Sequence, residues 1–334
     1  MSISTHLPPR HYPHHQPHLP GDLSHRNWRT SAHIAGVKAA MLRAAQDLLD
    51  TEGFTQVFPP VLTSLSGACG EPGTLIPVEL HGRRAYLRQT SQLYLEPLMR
   101  ELGKVYSISR SFRAERHSDE RHLTEFTLLE AEVAGYGLQQ LMALMERLVC
   151  EMLHRAGVLA RQHLKALGVD PAKLESVQPP FVRITYDDAI IALQAQGYFV
   201  EWGEDLSEEH ELALTRMVGG PLLVTRYPVE LRFFTMKICR DDPRVVECCD
   251  LLMPGVGEVM GASETETDPG LLETKLMSSK GVRQLLDLGV NPDDYGWYIQ
   301  MHRQAGTRQA GFGMGFERLV RYACGLRSVA DAVV

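Results

Sequence analysis

Two stretches far apart in the chain carry residue types that fit a single nucleotide between them. The first is Phe112-Arg113-Ala114-Glu115, followed after a short charged loop by Arg121-His122-Leu123-Thr124-Glu125-Phe126. The second is Gly311-Phe312-Gly313-Met314-Gly315-Phe316-Glu317-Arg318. Side chains on a strand alternate between faces, so the three glycines share one face and Phe312, Met314 and Phe316 the other. A strand face without side chains admits a flat ring against the backbone, while the opposite face packs into a core. Arg318 opens a helical stretch, where a guanidinium can stack on a ring or meet a phosphate. In the first stretch Arg113 and Glu115 share a face, as do Phe126, Leu128, Glu130 and Glu132. Arg113 is thus placed to hold a phosphate and Phe126 to stack on a base.

The elements that must carry these residues are legible around them. The polar, turn-prone Arg116 to Arg121 predicts two antiparallel strands joined by a mobile loop. A dinucleotide-binding βαβ fold does not fit, because the glycines sit near the C-terminus and no such unit follows them. Ile34, Val37, Met41, Leu42, Leu48 and Leu49 predict an amphipathic helix that Gly53 ends, and a short strand, Gln56 to Phe58, then runs into Pro59-Pro60. Leu138 to Leu153 reads as a helix whose three methionines belong to the core. Asp170-Pro171 to Pro179-Pro180 reads as a surface connection, and the acidic stretch Glu201 to Glu211 as a solvated face. Residues 1–25 hold six histidines and five prolines, a composition that predicts a disordered tail.

Together the two stretches resemble motifs 2 and 3 of the class II aminoacyl-tRNA synthetases, with the residues at 113, 115, 122 and 126 in the order and spacing of the aspartyl/asparaginyl branch. The helix, strand and proline series resembles motif 1, which in that family forms much of a dimer interface. Gln89-Thr90-Ser91-Gln92-Leu93-Tyr94 resembles the branch's amino-acid-pocket segment. Trp202-Gly203-Glu204-Asp205-Leu206, Tyr227-Pro228 and Asp250-Leu251-Leu252-Met253-Pro254-Gly255-Val256-Gly257-Glu258 are similar to asparaginyl members. The resemblance runs from about Arg26 to the end. It implies an α+β fold: an antiparallel sheet of about six strands flanked by helices, in one catalytic domain over residues 26–334, forming a homodimer.

The resemblance also implies a chemistry. The α-carboxylate of an amino acid attacks the α-phosphate of ATP, giving an aminoacyl-adenylate and pyrophosphate, and positioning with charge neutralisation supplies most of the rate. Arg113 corresponds to the catalytic residue that holds the α-phosphate and the reacting carboxylate, a task suited to a bidentate fork. Glu115 would contact the adenine amino group and His122 the γ-phosphate, with Arg121 in the same ATP-binding set. Phe126 and Arg318 would sandwich the ring. Asp250 and Glu258 would hold Mg²⁺, a hard ion that takes one or two carboxylates plus phosphate oxygens. Glu130 would receive the α-ammonium, and Gln92 and Thr265 occupy the remaining amino-acid-binding positions.

That pocket departs from the family pattern. The lysine that reads an aspartate side chain corresponds to Leu95, and the arginine shared by aspartyl and asparaginyl members corresponds to Thr265. The usual Glu-Gly-Ala loop becomes Ser66-Gly67-Ala68. Loss of the arginine removes a charge-assisted hydrogen bond worth roughly 1.5–3 kcal/mol, which argues against unmodified aspartate as substrate. Glu264 and Glu266, in the same segment as Thr265, point to a cationic or amine-bearing side chain.

Charge and length bear on the acceptor. Synthetases of this branch carry an N-terminal anticodon-binding β-barrel, about 100 residues by the size of a small all-β domain, and here only about 25 residues precede the core. The net charge is −7 and the pI about 6.1, with no basic run to grip a polyanion. These features favour a paralogue without an anticodon-binding domain, whose acceptor is ammonia, a metabolite or a carrier protein rather than tRNA. A genuine Asn/Asp-type synthetase acting through the acceptor end or a partner is the second reading. A non-catalytic regulatory paralogue that binds ATP or an amino acid is the third. No apolar run approaches the ~20 residues that cross a bilayer, and six cysteines without paired spacing imply a reducing compartment, the cytoplasm.

Overall fold

A computed structural model describes residues 27–65, 72–114, 120–278, 280–304 and 306–333. Its strands are β1 (Thr55–Gln56), β2 (Leu62–Thr63), β3 (Ile76–Leu80), β4 (Arg83–Leu87), β5 (Lys104–Phe112), β6 (Glu125–Ala134), β7 (Val182–Thr185), β8 (Leu222–Thr225), β9 (Cys248–Met253), β10 (Gly257–Glu264) and β11 (Gln309–Gly315). The helices are α1 (Trp28–Thr51), α2 (Gln92–Leu102), α3 (Leu138–Leu159), α4 (Arg161–Ala166), α5 (Pro171–Glu175), α6 (Tyr186–Ala195), α7 (Glu208–Val218), α8 (Pro269–Ser278), α9 (Lys280–Asp287), α10 (Gly296–Gln304) and α11 (Phe316–Cys324).

The main sheet has eight strands in the order β1-β5-β6-β11-β10-β9-β8-β7. The six from β5 to β8 are antiparallel to their neighbours, as expected. The two beyond that expectation, β1 and β7, sit at the edges and pair parallel. Each is separated in sequence from its partner by helical structure, and a connection that crosses over in this way delivers the next strand in the same direction. A small sheet, β2-β4-β3, packs with α8, α9 and α10 around Leu75, Phe234, Leu272 and Tyr298.

Strand alternation sorts the layers. Leu129, Ala131 and Val133 of β6, Cys249, Leu251 and Met253 of β9, and Phe312 and Met314 of β11 all face the core formed with α1, α3 and α11. On the other face Cys248 and Leu252 pack against α6 and α7, and Val105 packs against Leu95 and Met99 of α2. Between those two covered patches the sheet face stays open.

Local signals explain the flanking helices. The Asn27 side chain accepts the Arg29 and Thr30 N–H groups at 3.2 and 3.3 Å, starting α1, and Gly53 turns the chain out at φ +83°. Ile34, Val37, Met41 and Leu49 form its buried stripe. The strand after it is shorter than expected and ends at Gln56. Helix α3 outruns the expected Leu153 by six residues, and Met142, Met145 and Met152 are buried in the core. The expected surface connection after Asp170 contains α5, which Asp170 caps and which buries Pro171 and Leu174 against α3.

Candidate active site

A cavity of about 310 Å³ lies on the open sheet face, floored by β6, β11 and β10. Gly311, Gly313 and Gly315 line it while Phe312, Met314 and Phe316 are buried, so the alternation read from the sequence places a bare strand at the centre of the floor. In register, Gly311 lies between Glu132 and Ser263, Gly313 between Glu130 and Gly261, and Gly315 beside Leu128. A Cβ on Gly313 would find its nearest neighbour at 3.9 Å, the Cγ of Glu130, so the space above it belongs to the cavity.

Along the strands the cavity has two ends of opposite character. At one end Arg113 follows β5, its backbone N–H bonded to the Thr124 carbonyl at 2.9 Å and its guanidinium 5.2 Å from the Phe126 ring centroid. Arg318, in the first turn of α11, donates to the Glu258 carbonyl at 2.9 Å and to the Glu258 carboxylate at 3.1 Å. His122 and Arg121 line the same cavity. Burial opposes the charge on Glu258, yet Arg318, Arg232, Arg121 and Arg113 outweigh it and hold the carboxyl below its ordinary range. Four guanidiniums around one point make this the anion-binding end.

At the other end stand Gln92 and Leu95 of α2 with Glu130 and Glu132 of β6. Glu130 is fixed by the Ser91 N–H at 2.9 and 3.1 Å and by the Thr90 hydroxyl. The Gln92 amide donates to Glu96 at 2.7 Å, and Glu96 also accepts from Tyr298 and Gln309. Glu132 is buried, and burial together with Glu96 and Glu130 pushes its carboxyl well above the ordinary range.

The remaining expected residues distribute unevenly. Asp250 is not at a strand end; it faces the cavity from the middle of β9, between Cys248 and Leu252. Burial pushes it up to about 6 in spite of an ion pair with Arg232. Thr265 does not reach the cavity wall: it is buried in a bridge to Met236, with its N–H on the Gln309 carbonyl at 3.0 Å. Glu264 and Glu266 do not face the cavity either. Glu264 is neutralised by Lys237 and Arg308, and Glu266 accepts the N–H groups of Thr267 and Asp268. Glu115, Ser66-Gly67-Ala68 and the N-terminal 25 residues lie outside the described residues.

Two residues were missed. Arg232 lies 3.8 Å from the Tyr227 ring centroid and pairs with Asp250, but its sequence neighbours gave no periodic or motif signal. Glu211 belongs to the stretch read as a solvated face, yet it is buried and bonded to Arg121 at 2.7 Å. The capping pattern Ser207-x-x-His210 marked the helix start, and the third acid of its first turn, on the inner face, was the available hint.

The comparisons with known proteins cover the stretch of chain that forms this cavity. Residues 23–334 match the family described as tRNA synthetases class II (D, K and N). The chain belongs to the class II tRNA synthetases. Among relatives of this class II synthetase, the asparagine–tRNA ligase of Thermococcus gammatolerans is 38% identical over 316 residues, which is 94% of this chain and 71% of the relative. That of Chloroflexus aurantiacus is 36% identical over 93% of this chain and 71% of its own length. The crystal structure of Pyrococcus horikoshii asparaginyl-tRNA synthetase complexed with asparaginyl-adenylate superimposes with a TM-score of 0.83 at 37% identity, covering 91% of this chain and 68% of that one. The Entamoeba histolytica enzyme with the same adenylate gives 0.79 at 29% identity, over 90% and 66%. The class II synthetase described here is therefore an ATP-dependent, amino-acid-activating ligase. An acceptor other than tRNA, expected from charge, gains no support from these relatives, and the genuine synthetase placed second fits them better.

Proposed function

We propose that the chain activates an amino acid with ATP and transfers it to the 3′ end of a tRNA, as a synthetase of the asparaginyl/aspartyl type. The observation that carries this reading is the cavity itself: a bare glycine strand flanked by Phe126 and Arg318, with guanidiniums at one end and carboxylates at the other. The adenine ring lies on Gly313 and Gly315 between Phe126 and Arg318. Arg113 draws the α-phosphate toward the amino-acid carboxylate and spreads the charge that builds on phosphorus as the carboxylate oxygen attacks and pyrophosphate leaves. His122 and Arg121 meet the outer phosphates. Glu130 and Gln92 hold the amino acid in line.

Asp250 and Glu258 fit Mg²⁺. A Cβ on Gly261 would lie 3.4 Å from an oxygen of each, so the two carboxylates converge over one bare position. Among the described residues no group of three or more His, Cys, Asp or Glu could hold a metal. Two carboxylates completed by phosphate oxygens are what a nucleotide-borne Mg²⁺ requires, and bound there it would neutralise phosphate charge. A homodimer is supported by Phe58, Leu62, Leu98 and Leu102, exposed apolar residues near the β1 edge. No helix among the described residues is long and apolar enough to cross a membrane, and the free thiols of Cys150, Cys239, Cys248, Cys249 and Cys324 support a cytoplasmic setting.

The test is aminoacylation of total tRNA by the purified chain across an amino-acid panel, with ATP–pyrophosphate exchange run beside it. Charged tRNA supports the reading. Exchange without any charged tRNA overturns the tRNA acceptor, and an Arg113→Ala variant that keeps exchange within tenfold overturns the assigned chemistry, which expects a loss of about 10²–10³.

A further inference from the structure

The carboxylate end of the cavity is built differently from the guanidinium end, because one of its acids is left open. Glu132 is 5% exposed, and among the described residues its Oε2 has no hydrogen-bond partner. Its neighbours Glu130 and Glu96 already accept hydrogen bonds on both oxygens, the first from Ser91 and Thr90, the second from Gln92, Gln309 and Tyr298. The charged groups that act on Glu132 are those same two acids, one from its own strand and one from α2. Helix α10 adds His302, which sits 3.6 Å from Glu96, and β11 adds the neutral Gln309. The cavity's guanidiniums act instead on Glu258.

Opposite Glu132 the floor is bare for a reason. A Cβ on Gly311 would stand 2.2–2.4 Å from the Glu132 carboxyl, so that acid fits only because residue 311 has no side chain. Leu95 supplies an apolar wall in the same cavity. A buried acid with an unused oxygen costs free energy until a donor meets it, and a cationic donor meets it best.

We propose that Glu132 reads the side chain of the activated amino acid, and that this side chain ends in a protonated amine, as in a diamino acid. The assignment rests on the activation reading above. The methylene stem lies along Leu95 and the ammonium donates to Glu132 Oε2. An aspartate side chain would be repelled by the Glu96 and Glu130 carboxylates, and a carboxamide would bring an N–H without the charge. In the free protein, burial beside two carboxylates keeps the proton on Glu132. Arrival of the ammonium stabilises the carboxylate, so that proton leaves to the buffer as the ion pair forms.

The experiment pairs exchange with binding. ATP–pyrophosphate exchange is measured with asparagine, aspartate, 2,3-diaminopropionate, 2,4-diaminobutyrate, ornithine and lysine. Isothermal titration of the same compounds, in two buffers of different ionisation enthalpy, reads proton release. The expected result is a diamino acid preferred over asparagine by roughly 10- to 100-fold in kcat/KM, with proton release on binding. In Glu132→Gln both the preference and the proton release disappear, while binding of ATP alone persists and shows that the variant is folded. Exchange with asparagine or aspartate only, or a diamino-acid preference that survives Glu132→Gln, overturns the Glu132 assignment and leaves activation standing. Diamino acids that bind with proton release but never support exchange uphold Glu132 and overturn activation. Absence of both binding and exchange with every diamino acid overturns the Glu132 assignment.

Discussion

The Glu211 carboxylate ties Arg121 to Glu258: it accepts from the Arg121 guanidinium at 2.7 Å and from the Glu258 backbone N–H at 2.9 Å. Helix α7 thereby holds two residues of the phosphate end without entering the cavity. Burial pushes Glu211 up to about 7 despite Arg121, so the pairing is held in a desolvated place. Removing one partner of such a pair is costly. Glu211→Ala is expected to destabilise the fold by about 3–5 kcal/mol, read from the urea midpoint, and to raise the KM for ATP. Glu211→Gln keeps an acceptor for the Glu258 N–H and should lose less of both.

Gly313 and Gly311 separate two uses of a missing side chain. Gly313→Ala places a methyl in open cavity, so folding should be unchanged while the KM for ATP rises roughly 10- to 100-fold through displacement of the ring. Gly311→Ala drives a methyl into the Glu132 carboxyl and should disturb the amino-acid end instead. Equal effects of both variants on ATP would count against the placement of the adenine.

Arg232 and Asp250 form a buried pair stacked on Tyr227. Arg232→Met leaves Asp250 uncompensated and is expected to cost about 3–5 kcal/mol. Adding Asp250→Asn should recover much of that loss, although the double variant lacks a proposed Mg²⁺ ligand. Urea midpoints of the two singles and the double measure the coupling.

Lys275 lies in α8 with its ammonium on the Met236 carbonyl, and burial depresses it to about 8 from the ordinary 10.5. Between those values the unfolded chain holds a proton that the folded chain gives up. Stability therefore rises with pH through that window, and this share is lost as pH falls through about 8. Lys275→Met should remove the rise and stabilise the protein at pH 7 by about 1–2 kcal/mol, since the buried charge costs more than its hydrogen bond returns. Urea midpoints at pH 7 and near pH 9.5 check both.

The parts of the site legible in the sequence were those governed by alternation and local spacing. Period two placed Gly311, Gly313 and Gly315 on the cavity face, and Phe126, Leu128, Glu130 and Glu132 fell on one side of β6 as counted. What pairs across the sheet was not local. Arg232 meets Asp250 through a bend of irregular chain, and Glu211 meets Arg121 from 90 positions away. An acidic run looks solvated until a partner arrives from elsewhere, which is why Glu211 was misread and Glu264 was credited to the substrate. The edge strand β7 was missed because four residues carry too little pattern to register, and β1 was read one residue late, as Gln56 to Phe58.

Strand β11 lies between β6 and β10 although it follows both in the chain. Gln309 comes 175 positions after Ala134, so at 5–20 residues per second β6 waits roughly 9–35 s on the ribosome for its neighbour. During that interval β6 presents an unpaired edge, and its inner face has no floor beside it. The nucleotide platform thus comes into being only once Gln309–Gly315 has been made. A nascent chain halted before Gln309 would own both halves of the sheet and be unable to join them.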